Sequence, residues 1–294
     1  MEANGASATS PSNRPICAWF VGDAAHVDFT DVMESLRSGT QLTVISDVND
    51  AASRPAHCLP PALIVIAQSR PGSIGLRQVE ALRRRYPLAG VVSLLGSWCE
   101  GQSRTGQPIP GVERLYWHEF PIWWRRQRKL RSEGRCADWA RPISPDVIAR
   151  FSRAMLFRES MKSPGLIVLS TPRWETADAL ADLLRNAGYS IVWQQPGRCS
   201  LQVRGAVAGI WEGGQLDDRN AYELAAFCRR LSCDTAPVIA LLDFPRRDRV
   251  ERARQLGAAF VLGKPWVNAE LVAAIEQNVE RDCARSRNNA ISAA

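Results

Sequence analysis

Hydrophobic and polar positions along the chain follow two alternating periods. Short runs of consecutive apolar residues recur at "ICAWFVG" (16–22), "ALIVIAQ" (62–68) and "GVVSLLG" (90–96), and "TQLTVIS" (40–46) is strand-like between the first two. Runs apolar at nearly every position predict strands buried on both faces, as in a parallel sheet covered by two helical layers. Between them the period lengthens. "FTDVMESLRSG" (29–39) sets Val32, Met33 and Leu36 on one face and stops at a glycine, and "GLRQVEALRRRY" (75–86) is amphipathic. A fifth strand is expected at "VERLYW" (112–117).

The second half repeats the order. "GLIVLST" (165–171) precedes a helix at 174–188, strands at 189–194 and 206–212, a helix at 220–231 and the strand "APVIALLD" (236–243). A helix at 246–258, the strand "AFVLG" (259–263) and a helix at 268–280 complete it. Gly39 aligns with Gly188, Leu82 to Arg84 with Cys228 to Arg230, and Val91 with Val238, at nearly constant spacing, which implies an internal duplication. The expected fold class is α/β: two doubly wound, parallel, five-stranded, flavodoxin-like domains joined by a helical linker. The expected boundaries are a leader at 1–14, domains at 15–120 and 163–281, a basic helical linker at 121–162 and a tail at 282–294.

Composition narrows the function. No apolar run reaches the roughly 20 residues of a membrane helix, and the N-terminus lacks signal-peptide character, so a cytoplasmic protein is expected. The eight cysteines form no CxxC pair and there are three histidines, so neither a zinc site nor a disulfide framework is expected. A net charge of +7 is compatible with nucleic acid, but the charge is spread along the chain and no helix-turn-helix follows either copy. No phosphate-binding glycine loop follows any strand.

Lysine is rare here, three residues among 37 basic ones, yet Lys264 stands directly after an apolar strand in "FVLGKPWVN". That segment closes "PVIALLDFPRRDRVERARQLGAAFVLGKPWVNAELVAAIEQ", which resembles the last third of the receiver domains of two-component response regulators. "RNAGYSIVW" (185–193) is similar to their passage from the first helix to the second strand. In that family an aspartate ending strand three takes a phosphoryl group, and two acidic residues after strand one hold Mg²⁺. A Ser/Thr after strand four and a Lys–Pro after strand five attend the phosphate.

The resemblance places Lys264 and Pro265 at the phosphate-contact positions, Ser170 and Thr171 at the acidic pair, Glu212 at the acceptor and Leu242 at the Ser/Thr position. Two hydroxyls cannot replace two carboxylates for a hard cation, and leucine cannot donate a hydrogen bond. Glutamate carries its carboxylate roughly 1 Å further out, a displacement that can cost about 100-fold in rate. The expectation is a degenerate receiver without Mg²⁺, other cofactor or enzymatic activity, in which Glu212 either faces Lys264 as a standing ion pair or points to solvent. In the first copy the matching strand ends carry Asp23 and Gln68, and Gln68 cannot accept a phosphoryl group.

The expected function is therefore a response-regulator-type signalling protein that binds a protein partner, with pairing of two copies through 246–280 suggested by the family. Alternatives are phosphorylation at Asp217 or Asp218, and an arginine-rich nucleic-acid-binding regulator. Three further features stay open: a Cys99 nucleophile with His118 as base in the long 96–111 loop, the aromatic run 116–124 as core or interaction patch, and Arg125, Arg126, Arg128, Lys129 and Arg131 as a solvated face or a phosphate-binding one.

Overall fold

In the computed structural model the described residues are 15–55, 59–102, 106, 109, 111–140, 165–197, 203–232 and 236–277. The expected leader, tail and most of the expected linker lie outside them. The chain divides into two units, Met1–Ile143 and Ser144–Ala294.

The first unit runs β1 (Ile16–Val21), α1 (Thr30–Arg37), β2 (Thr40–Ile45), α2 (Val48–Ser53), β3 (Leu63–Gln68), α3 (Leu76–Arg85), β4 (Gly90–Leu95), β5 (Glu113–Tyr116) and α4 (Phe120–Ser132). Its strands form one parallel sheet in the order β2-β1-β3-β4-β5. Every residue of β3 and β4 is buried, which explains why they are apolar throughout except for Gln68 and Ser93, which bond each other. The short α2 has no apolar periodicity in the sequence; it is started by Asp47, whose side chain accepts from the Asn49 N–H.

Helix α4 was expected in the linker, and the structure places it in the first unit. Phe120, Trp123, Trp124, Gln127 and Leu130 are buried at helical spacing, and α4 packs on α1. Trp139 stacks on Trp124 at 5.4 Å and lies so close to Gly90 of β4 that a Cβ there would meet it at 2.6 Å. The aromatic run is thus core, and the first unit extends beyond 120.

The second unit runs β6 (Leu166–Ser170), α5 (Trp174–Asn186), β7 (Ser190–Gln194), β8 (Ala206–Glu212), α6 (Asp218–Ser232), β9 (Val238–Asp243), α7 (Arg247–Gln255), β10 (Ala258–Lys264) and α8, helical over 268–277. The parallel order β7-β6-β8-β9-β10 is the same 2-1-3-4-5 pattern, a doubly wound flavodoxin-like sheet. Among the described residues no helix joins β7 to β8. Gly188, at φ 92°, supplies the left-handed residue that ends α5 and turns the chain into β7.

Candidate functional site

In a doubly wound sheet the loops at the carboxyl ends of the strands form the ligand crevice. In the second unit β6, β8, β9 and β10 end there in Ser170–Thr171, Glu212, Asp243 and Lys264. The parallel register sets Lys264 opposite Asp243 and Glu212 opposite Leu241, so the three charged ends converge at one rim.

Glu212 is the centre. Its side chain is 3% exposed. Lys264 Nζ donates to Oε1 at 3.0 Å, Arg173 Nη2 donates to the same oxygen at 3.0 Å, and Thr171 Oγ1 donates to Oε2 at 2.6 Å. Burial pushes this carboxyl upward, but the Thr171 bond, the Lys264 bond and charge, and the Arg173 bond outweigh it and hold the group below the ordinary 4.5. Lys264 also reaches Asp243 Oδ1 at 2.9 Å. The Lys264–Pro265 peptide is cis. Gly213 follows Glu212 because the Trp211 ring folds back over it: a Cβ would lie 2.0 Å from the ring.

The residues assigned from sequence divide accordingly. Thr171, Glu212 and Lys264 are brought into contact; Ser170 is buried at the end of β6; Leu242 is fully buried in the core, and Asp243 takes the rim in its stead. Arg173 and Asp243 were not singled out by sequence reading. Arg173 lies in a loop without periodic signal, two residues past the strand end; Asp243 was legible only as the last residue of its strand. Asp217 Oδ1 accepts from the Asn220 N–H at the start of α6, and Asp218 pairs with Arg252 at 2.7 Å, so both are engaged away from Glu212.

Thr171 Oγ1 is turned to Glu212, Lys264 and Arg173 both hold Glu212 Oε1, and Lys264 also holds Asp243, so the two carboxylates at this rim are engaged by side-chain cations.

The first unit carries other residues at the matching strand ends. Gln68 ends β3 opposite Leu95 as Glu212 ends β8 opposite Leu241, and its Nε2 donates to Ser93 Oγ at 2.6 Å. Counting on from the paired Tyr116 and Leu95, His118 holds the register position of Lys264 and stands 3.9 Å from Glu100 Oε1. The buried Asp28, which sequence reading missed, accepts from Ser97 N and Oγ at 2.8 and 2.9 Å and ties the loop after β1 to the end of β4. Exposed Asp23 accepts from the Ala25 N–H. Cys99 is fully buried and donates to the Gln68 carbonyl; burial, above all, pushes its thiol up to about 11. Such a thiol is the opposite of an activated nucleophile.

No family model matches the chain, and no curated protein matches its sequence. Solved structures similar to it include the signal receiver domain of a modulated diguanylate cyclase from Desulfovibrio desulfuricans G20 (18% identity, TM-score 0.33, 42% of this chain and 99% of that one). Others are a C-terminal segment of E. coli RcsC with a linker region and phosphoreceiver domain (17%, 0.32, 93% and 94%) and a putative two-component response regulator/GGDEF domain protein (11%, 0.32, 90% and 98%). At such values the fold assignment stands on the strand order of the chain itself. Among the described residues no helix is long and apolar enough to cross a membrane.

Proposed function

We propose that the chain is a signalling protein of response-regulator type whose receiver-like units bind protein partners without taking up a phosphoryl group. The observation that carries this reading is the occupation of Glu212 at the acceptor position. Its Oε1 holds two cations and its Oε2 accepts from a hydroxyl, so both oxygens are engaged, and the ammonium that would meet a phosphoryl group is already paired. Gln68 at the same position of the first unit has no carboxylate. The charged rim imitates permanently what a receiver acquires on phosphorylation. On this reading the protein works in the cytoplasm without catalysis of its own, and two copies pair through 246–280, which sedimentation of the full chain would test.

The decisive experiment is incubation of the full chain with acetyl phosphate and Mg²⁺, followed by intact mass and peptide mapping. The expected mass is that of the unmodified protein. A hydroxylamine-labile adduct on Glu212, Asp217 or Asp218 would contradict the proposal.

A further inference from the structure

Three tryptophans are well exposed among the described residues, and all stand at carboxyl ends of strands. Trp98 (68%) follows β4, Trp174 (59%) opens α5 after β6, and Trp193 (41%) is near the end of β7. Two of them are near Arg173 in the chain or through its loop. Trp174 is its neighbour in the chain, and Trp193 Nε1 donates to the Thr171 carbonyl at 3.1 Å. The Arg173 side chain is 65% exposed, although its partner Glu212 is buried.

The bonding at Glu212 makes Arg173 the expendable donor. Without it, the carboxylate keeps Lys264 on Oε1 and Thr171 on Oε2, so it remains neutralised and hydrogen-bonded. Lys264 has no such freedom, because it serves Glu212 and Asp243 together and is 15% exposed. The site thus holds one guanidinium that can turn outward at small cost, next in the chain to the exposed Trp174 and two residues from the carbonyl that Trp193 bonds. Arginine and tryptophan are the residues in which interface energy concentrates. Guanidinium forks onto a carboxylate, and flanking indoles bury apolar neighbours and keep water from the pair.

We propose that Arg173, Trp174 and Trp193 form a docking surface for an acidic segment of a protein partner, with Arg173 passing from Glu212 to a partner carboxylate. The chain's net charge of +7 favours encounter with an acidic partner. The surface gives the protein-interaction reading a partner chemistry and rests on that reading. Its test is separate: a phosphoprotein formed from acetyl phosphate would remove the reading of Glu212, whereas failure of the following selection removes the docking surface alone.

Random peptides displayed on phage are selected against the full chain, and the enriched peptide is synthesised and titrated by tryptophan fluorescence at low salt. Enriched sequences are expected to carry Asp or Glu beside Leu, Ile or Val. Arg173→Ala and Trp174→Ala should each weaken binding at least about tenfold, and Trp98→Ala, in the other unit, should leave it unchanged. Repeating the selection on Arg173→Glu should enrich basic peptides, a reversal that loss of structure would not produce. Arg173→Lys, which keeps a cation near Glu212, should retain the acidic preference at reduced affinity. Enrichment of sequences without acidic residues, no enrichment at all, or binding that survives Arg173→Glu would overturn the proposal. So would a single-stranded oligonucleotide that binds through Arg173 when no acidic peptide does.

Discussion

Lys264 and Glu212 meet at 3.0 Å although β9 runs between their strands. The ammonium reaches across the end of β9, whose last residue, Asp243, it also holds at 2.9 Å. One lysine therefore ties the carboxyl ends of three strands. Burying charge is costly, and a buried pair is tolerated only when its remaining donors and acceptors are satisfied. Here Thr171 and Arg173 complete the carboxylate.

Removing either cation should have unequal consequences. Lys264→Met leaves a buried carboxylate with an exposed arginine and a hydroxyl, and should destabilise the second unit by about 3 kcal/mol. Arg173→Ala removes a largely solvated partner and should cost less than about 1 kcal/mol. Urea unfolding of the full chain, followed in the transition of the second unit, gives the ranking; equal losses would show that Lys264 is not the principal partner.

The pH dependence has a defined sign. The folded carboxyl of Glu212 is held below its ordinary value of 4.5, so the folded state favours the ionised form. Its contribution is fully present above that value and is lost as pH falls below it through the folded pKa. Stability of the second unit should be flat near neutrality and decline below about pH 4.5, and in Lys264→Met, where the cation that favours the ionised carboxylate is gone, that decline should be smaller or reversed. Unfolding free energy measured across acid pH tests both statements.

How much of this was legible in the sequence depended on burial. Strands β1, β3, β4, β6, β8, β9 and β10 were visible because strands covered on both faces must be apolar throughout, and their order followed from the alternation with helices. Lys264 was conspicuous because a charge seldom follows such a run, and Glu212 because it ends one. Arg173 was not visible, since a loop residue's partner is set by tertiary geometry. Leu242, which the resemblance sets at the Ser/Thr position, is buried, and its neighbour Asp243 reaches the rim, because successive residues of a strand point to opposite faces. Helix α4 was assigned to the linker because its arginines drew notice, although Phe120, Trp123, Trp124, Gln127 and Leu130 carry a clear helical spacing.

That correction is itself testable. Trp123 is fully buried, with its ring 5.4 Å from Phe120 and 5.7 Å from Trp139. Trp123→Ala should destabilise the first unit by about 3–5 kcal/mol. A helix in a linker would show little change in the same unfolding experiment.

Thiol chemistry separates the described cysteines. Cys99 and Cys228 are buried, with thiols pushed up to about 11 chiefly by burial, whereas Cys136 is exposed. Iodoacetamide applied to the native protein near pH 8 should modify Cys136 well before Cys99 or Cys228, as read by peptide mass. Rapid labelling of Cys99 would restore it as a nucleophile.

The most direct test of the central claim, that Glu212 is already occupied, is fluorine NMR of the full chain with beryllium fluoride and Mg²⁺, a pair that mimics a carboxyl phosphate. Because Lys264, Arg173 and Thr171 engage both carboxylate oxygens, only free fluoroberyllates are expected in the spectrum. A bound resonance that disappears in Glu212→Gln would show that the carboxylate is available and would contradict the account.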